Sequence, residues 1–414
     1  MKKLFFITYG GGHANLVKLV AEDLNRNTDY EIIILALTTA YKELKDQLKN
    51  LKVQSITDYM HLFSSDIEKI RGYGDKYLED NYQKNGNVSE EETINYIGLS
   101  FFDLVTNYGI NGAEKIYKKK GRRAFEPLNA AKKIISFESP DLLISTSSPR
   151  FEIASIRAAK QLGIPSLQIL DFFENKYNLK EADYIGCSND QTKKILEKNN
   201  MTNSNIRAVG QPSIENTVRL IESIDCRTLY KKIQINPEKP TILVATQKLM
   251  EFSNDVSMGR YIDKESVYLK LFDEIAEAKK HDDFNVLLRI HPASESKESY
   301  SRILEKYPFI IFSNEVLDVQ QSIALCDLLI THSSTVAIEA ACAKKKVITF
   351  KHFYDIDYPF DEFTKDPFIF MPDLENMSKK IIEVFIMKQK NHSESFMPKN
   401  SLKNIRMFIE EILN

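Results

Sequence analysis

The chain predicts an α/β fold made of two doubly wound halves. Short runs rich in Ile, Leu and Val alternate with helical patterns in both halves, which implies parallel strands with helices on both faces. A proline-bracketed break, Asn236-Pro237-Glu238-Lys239-Pro240, separates one such series from a second of similar size. Turns rich in Gly, Ser, His and Pro follow several strands, at the sheet edge where open parallel sheets bind ligands.

In the first half, strands are expected over residues 4–8, 31–37, 142–145, 166–170 and 206–209. Gly10 to Gly12 turn the chain after the first, and Leu16, Leu19, Val20 and Leu24 recur at helical spacing. A helix over 151–162 joins the third strand to the fourth. From about 57 to 125 the rhythm breaks into a stretch rich in Tyr, Asn, Lys and Glu. Ile94, Ile97, Phe101 and Leu104 give it a helical period, so it reads as a helical insertion. After Gly210-Gln211-Pro212 one long helical stretch is expected to about 233. The second series then has strands over 241–245, 285–290, 309–313, 328–331 and 347–350, with helices over 266–280 and 335–343. An amphipathic helix over 402–413 closes the chain. The expected organisation is an N-terminal domain over 1–212, a C-terminal domain over 213–395 facing it across a cleft, and a C-terminal helix over 396–414.

Composition excludes several classes. With 56 basic against 58 acidic residues the net charge is −2, so no general field draws the chain to nucleic acid. The four cysteines, Cys187, Cys226, Cys326 and Cys342, form no CxxC pattern, which argues against a zinc site or a disulfide framework. No run of about 18 apolar residues is present, so no spanning helix is expected. The expectation is a cytoplasmic protein. The densest basic run, Lys118-Lys119-Lys120-Gly121-Arg122-Arg123, reads either as a solvated helix end or as a peripheral contact with anionic lipid at the inner membrane face or with a charged acceptor.

Four groups of residues can carry chemistry. Gly10-Gly11-Gly12-His13 lets backbone approach a ligand closely, and His13, at a strand's carboxyl end, can take a proton from a hydroxyl or simply bond the loop. Arg289-Ile290-His291-Pro292 follows a strand directly, with proline fixing the turn. His332-Ser333-Ser334-Thr335 offers hydroxyls and amides suited to a phosphate, or to a helix cap. Glu339, about a turn further on, can accept ribose hydroxyls. Ser145 to Arg150, including Ser147, can bond an acceptor or cap the next helix, and Gln247 can reach a base or diphosphate.

On these motifs the chain resembles the GT-B superfamily, which has two Rossmann-like domains and includes nucleotide-sugar glycosyltransferases and UDP-N-acetylglucosamine 2-epimerases. The glycine loop with His13 is similar to the acceptor-side loop of undecaprenyl-linked N-acetylglucosaminyltransferases. Gly210-Gln211-Pro212 is similar to the Gly-x-Pro opening the second domain. His291-Pro292 and Ser333-Ser334-Thr335 resemble the His-Pro and Ser-Ser/Thr motifs of bacterial sialyltransferases, where they hold the donor phosphate. Glu339 matches the ribose-binding glutamate, and Ala340 to Val347 the helix-to-strand run after it. An epimerase's Ser-Gly-Gly turn and paired glutamates are absent, as is the acidic pair before glycine that supplies a sialyltransferase's base.

The resemblance implies transfer of a sugar from a CMP- or UDP-linked donor to a glycan or lipid-linked acceptor, in bacterial surface or capsular polysaccharide synthesis. The alternative is an epimerase-like activity; a non-catalytic nucleotide-sugar binder is a third reading. In the first case Gln247, Arg289, His291, Pro292, His332, Ser333, Ser334, Thr335 and Glu339 hold the donor. Gly10, Gly11, Gly12, Ser147 and Arg150 face the acceptor, and His13 is the base. No cofactor and no metal are expected, since hydroxyls, amides and a helix terminus can meet the phosphate charge.

Overall fold

The computed structural model describes residues 1–84, 86–171, 181–198, 205–247, 264–292, 295–351, 368–386 and 397–414. They form two compact units, Met1–Ser213 with Met397–Asn414, and Ile214–Phe396. The first contains a sheet of seven strands: β1 (Lys3–Thr8), β2 (Glu31–Ala36), β3 (Lys52–Gln54), β4 (Leu142–Ser145), β5 (Ser166–Ile169), β6 (Tyr184–Cys187) and β7 (Asn205–Ala208). Their order is β3-β2-β1-β4-β5-β6-β7, and every pairing is parallel.

Both faces of this sheet are covered, which is why its strands read as continuous apolar runs. Phe5, Ile7, Ile33, Leu35 and Leu143 point toward the insertion and the helices Leu128–Glu138 and Phe151–Leu162. Leu4, Phe6, Ile32, Ile34 and Ile144 point the other way, toward helices Gly12–Asn27 and Ser401–Leu413. The C-terminal helix thus completes the first unit's core, with Arg406 Nη1 bonded to Asp23 Oδ2 at 3.0 Å.

The second unit contains a sheet of six strands: β8 (Thr241–Ala245), β9 (Asn285–Arg289), β10 (Ile310–Phe312), β11 (Leu328–Thr331), β12 (Lys346–Phe350) and β13 (Ile369–Met371). They pair in parallel as β10-β9-β8-β11-β12-β13. In each sheet the chain order reverses once, between β1 and β4 and between β8 and β11. Loops on either side of such a reversal diverge and leave a crevice at the strands' carboxyl ends.

A recurrent device sets strand register. Asp141, Asp183 and Asp327 each stand just before a strand or at its entry. Each accepts the first backbone N–H of a neighbouring strand, at Lys3 (2.8 Å), Ser166 (3.0 Å) and Thr241 (2.8 Å). The charge-assisted bond fixes where pairing begins.

Three short strands, β3, β6 and β13, escape the sequence reading. Lys52-Val53-Gln54 carries one buried residue, Tyr184 to Cys187 contains a glycine, and Ile369 to Met371 is only half-buried. The long helix expected to 233 is two helices, Pro212–Ser223 and Cys226–Ile233, because the Asp225 carboxylate caps the second by accepting from Arg227 N at 3.1 Å.

The region from 57 to 125 is mostly helical: 3-10 turns over Thr57–Asp66 that break at Phe63, helix Ile67–Lys76, a helical stretch Glu90–Lys120 that breaks at Gly109 (φ 68°), and a 3-10 turn Gly121–Ala124. The two helices cross with backbones almost touching. A Cβ on Gly98 would lie 2.1 Å from the Ile70 carbonyl oxygen, and one on Gly74 2.2 Å from that of Ile94. Gly72, in the same helix as Gly74, meets nothing within 4 Å. Gly98→Ala is expected to destabilise the unit by roughly 1–3 kcal/mol through overpacking. Gly72→Ala should stabilise it by up to about 1 kcal/mol, because alanine loses less entropy on entering a helix. Denaturant unfolding of the two variants checks the contrast.

Candidate functional site

In the first unit the site is built on the loops that leave β1 and β4. The β1 loop needs its glycines for different reasons. A Cβ on Gly10 would stand 1.8 Å from Thr39 Oγ1, Gly11 holds φ of 73°, and Gly12 opens the helix Gly12–Asn27 with nothing near its missing Cβ. His13 then points across to the β4 loop. Its Nδ1 lies 2.9 Å from Asp171 Oδ2 and 2.9 Å from Thr146 Oγ1, and Ser148 Oγ is 3.3 Å from Nε2. Ser147 Oγ donates a short bond to the other Asp171 oxygen, and Gln211 Nε2 donates to the Asp171 carbonyl at 3.2 Å.

Beneath these side chains lies Glu152, with no exposed surface. Its carboxylate accepts from Tyr9 N (3.2 Å), Thr146 N (2.9 Å), Thr146 Oγ1 (2.8 Å) and Ser148 N (3.3 Å). Burial pushes its pKa up to about 7, against the opposing influence of His13 and of the donors. Burial also works to lower the His13 pKa, but the hydrogen bond and charge of Asp171, with the charge of Glu152, outweigh it and the net shift is upward. Arg150, at φ 69°, stacks its guanidinium 4.7 Å from the Tyr9 ring centre, and Tyr9 OH meets Tyr96 OH at 2.7 Å.

In the second unit three loops come together at the reversal between β8 and β11. Gln247 Nε2 lies 3.2 Å from His332 Nδ1 and 2.5 Å from Ser333 Oγ, and Ser333 Oγ is 2.8 Å from His332 Nδ1. Buried His332 rests edge-on against Phe350, so it backs the loop rather than lining its surface. Thr335 is the N-cap of helix Val336–Cys342 yet makes no side-chain cap bond; Ser334 Oγ accepts from Val336 N at 3.4 Å. The His291-Pro292 turn is held by Glu295, which accepts from His291 N (2.9 Å), Thr246 Oγ1 (2.7 Å) and Tyr300 OH (2.7 Å). Arg289 donates through Nη1 to the Leu317 carbonyl at 2.8 Å, bracing the segment before the next helix. The Glu339 side chain makes no hydrogen bond with a described residue, and burial alone pushes its pKa up to about 7.

Sequence reasoning missed Asp171, Glu152 and Glu295; Thr146 lay within the Ser145 to Arg150 group. Asp171 was legible as an acid directly after an apolar strand, and Glu152 as an acid in the first turn after a Ser/Thr-rich loop. Lys118 to Lys120 end the helix Glu90–Lys120, Gly121 turns the chain at φ 55°, and Arg122 and Arg123 follow, both exposed. Tyr108 and Ile110, on either side of the break at Gly109, are also exposed. Among the described residues no helix is long and apolar enough to cross a membrane, and no cluster of His, Cys, Asp and Glu could hold a metal ion. The sequence does contain one Asp-x-Asp, Asp355-Ile356-Asp357, which the metal-free expectation left out of account; it lies outside the described residues.

Two all-parallel, doubly wound sheets, each reversing its strand order once, give the chain a fold of the GT-B type. Structures similar across nearly the whole chain include the UDP-GlcNAc 2-epimerase of Methanocaldococcus jannaschii, with TM-score 0.60, 14% identity and 99% of each chain covered. The UDP-GlcNAc 2-epimerase of Neisseria meningitidis bound to UDP-GlcNAc gives 0.59 and 12%, with 99% of each chain covered. That of Rickettsia bellii gives 0.53 and 12%, covering 100% of this chain and 96% of its own. At such identities the likeness is one of fold. No curated protein matches. Residues 112–377 match the family described as CDP-Glycerol:Poly(glycerophosphate) glycerophosphotransferase, and the chain belongs to that family. The matched region holds Thr146, Glu152, Asp171, His291 and Ser333 to Glu339, and leaves out His13.

The raised His13 pKa has a consequence for stability. A histidine whose folded pKa exceeds its unfolded value stabilises fully below the unfolded value, about 6.5, and loses that contribution as pH rises through the folded one. The ligand-free protein should therefore lose stability as pH climbs from about 6.5 through the raised value. His13→Asn should flatten that part of the profile, read as the melting temperature across the pH range.

Proposed function

We propose that the protein transfers glycerol phosphate from CDP-glycerol, or a closely related cytidine-linked donor, to a hydroxyl of a poly(glycerophosphate) or glycan acceptor. The match of residues 112–377 to the family is the observation that carries this reading. The acceptor oxygen attacks the β-phosphorus, a new P–O bond forms, and the bond from that phosphorus to the bridging oxygen breaks, so CMP departs with the oxygen. The acceptor's proton passes to His13 Nε2, while Asp171 at Nδ1 stabilises the imidazolium. Ser333, Ser334, Gln247 and the His291-Pro292 turn meet the charge that grows on the leaving phosphate, and the Glu339 carboxylate accepts the ribose hydroxyls.

Transfer of a sugar from a CMP- or UDP-linked donor would use the same nucleotide contacts, with attack at the anomeric carbon instead. The His-Pro and Ser-Ser/Thr motifs favour it as the second reading. Lys118 to Arg123, with Tyr108 and Ile110, would hold the enzyme against an anionic membrane or a charged acceptor. The reaction is proposed to need no metal.

The test pairs binding with turnover. CMP and CDP-glycerol should raise the melting temperature more than UDP or UDP-GlcNAc. Ser334→Ala and His291→Ala should each weaken nucleotide binding by roughly 1.5–3 kcal/mol, and Glu339→Ala should narrow the gap between ribo- and deoxyribonucleotide. His13→Ala should keep nucleotide affinity and lose about 10²- to 10⁴-fold in kcat. Activity should survive EDTA; silencing rescued by magnesium would turn attention to Asp355 and Asp357. If no nucleotide binds, the donor-site assignment fails. Exchange of the C2 proton of UDP-GlcNAc without acceptor would mark an epimerase instead.

A further inference from the structure

His13 is served by two carboxylates, one direct and one through a hydroxyl. Thr146 has a single hydroxyl proton, and it points to Glu152 Oε2 at 2.8 Å. The Thr146 hydroxyl oxygen itself stands 2.9 Å from His13 Nδ1, where it can therefore only accept. Asp171 Oδ2 accepts at that nitrogen too, at 2.9 Å. The neutral ring must then carry its proton on Nδ1 and its lone pair on Nε2. Glu152 is held in place for this by the backbone N–H groups of Tyr9, Thr146 and Ser148, which are donors only. Thr146 Oγ1 is thus the one partner whose hydrogen-bond direction depends on Glu152.

We propose that Glu152 is a positioning residue for His13: it accepts the hydrogen bond of the Thr146 hydroxyl, so that the Thr146 oxygen and Asp171 together keep the ring proton on Nδ1 and present Nε2 to the acceptor hydroxyl. The proposal rests on reading His13 as the base. The neighbouring charged and titratable groups fit it. Asp171 and Glu152 both favour the imidazolium, and Arg150 is engaged over the Tyr9 ring. A contrasting case stands elsewhere in the unit. Glu92 clamps Ile56 N, Thr57 N and Thr57 Oγ1 at 2.7 to 3.3 Å in the same manner, but its hydroxyl partner passes on to Asn95 rather than to a histidine.

Nitrogen-15 NMR of His13 in the full-length protein tests the idea without requiring turnover. In Glu152→Gln the His13 titration should move to lower pH, because one of its two carboxylates is gone, while in Glu92→Gln it should stay where it is. Asp171→Ala leaves Glu152 and Thr146 intact, so the neutral ring should still carry its proton on Nδ1. Adding Thr146→Val should release it to Nε2, the usual preference of a free imidazole, and Thr146→Ser in its place should restore the Nδ1 form. The proposal is overturned if Glu152→Gln leaves the titration unmoved, or if Asp171→Ala alone already sends the proton to Nε2. Failure of the base assignment looks different: His13→Ala would then keep its kcat, whatever the tautomer.

Discussion

The buried Glu152 carboxylate holds together the point where the first sheet reverses its strand order. At that point the chain leaves β1 and β4 in diverging directions, and backbone N–H groups of Tyr9, Thr146 and Ser148 are without ladder partners. Unmet and buried, each would cost about 1–3 kcal/mol. Glu152 meets all three and the Thr146 hydroxyl besides. Taking a carboxylate out of water costs several kcal/mol, and its upward-shifted pKa shows that the donors do not fully offset this. That residual cost is retained where two loops must keep one relative geometry. Those loops carry His13 on one side and its partners Thr146 and Ser148 on the other.

The second unit also uses a carboxylate, but on one side of its reversal rather than across it. Glu295 ties the ends of β8 and β9 by accepting from Thr246, His291 and Tyr300. Around the reversal stand the Ser333 and Ser334 hydroxyls, the Gln247 amide and the Glu339 carboxylate. Hydroxyl and amide donors fixed in advance suit a phosphate, because they need not reorganise to meet its charge. In the first unit two carboxylates around a histidine suit the opposite task, holding a proton once it has been taken.

Much of this was legible in the sequence. Strands buried on both faces advertise themselves as apolar runs, so β4, β8 and β11 fall where the pattern put them, and the Gly, His-Pro and Ser-rich turns mark the strand ends directly. Residues that lie at carboxyl ends of strands in an open parallel sheet are constrained by topology, so naming the turns was nearly enough to gather Gln247, His291 and Ser333 near one reversal.

What the sequence could not give is the pairing of residues far apart along the chain. Asp171 reaches His13 across more than a hundred positions because β5 lies beside β4, and nothing local to either residue encodes that neighbour. Glu152 looks like any acid in a first helical turn until the fold closes over it and leaves its oxygens facing three orphaned amides. The edge strands β3 and β13 are too short, and too little buried, for periodicity to register. The sequence by itself determined the two-sheet architecture and the turns that bear the chemistry, because burial and backbone geometry are written in local pattern. Only the tertiary structure decided which carboxylates stand around His13, because that depends on elements that meet only when the sheet assembles.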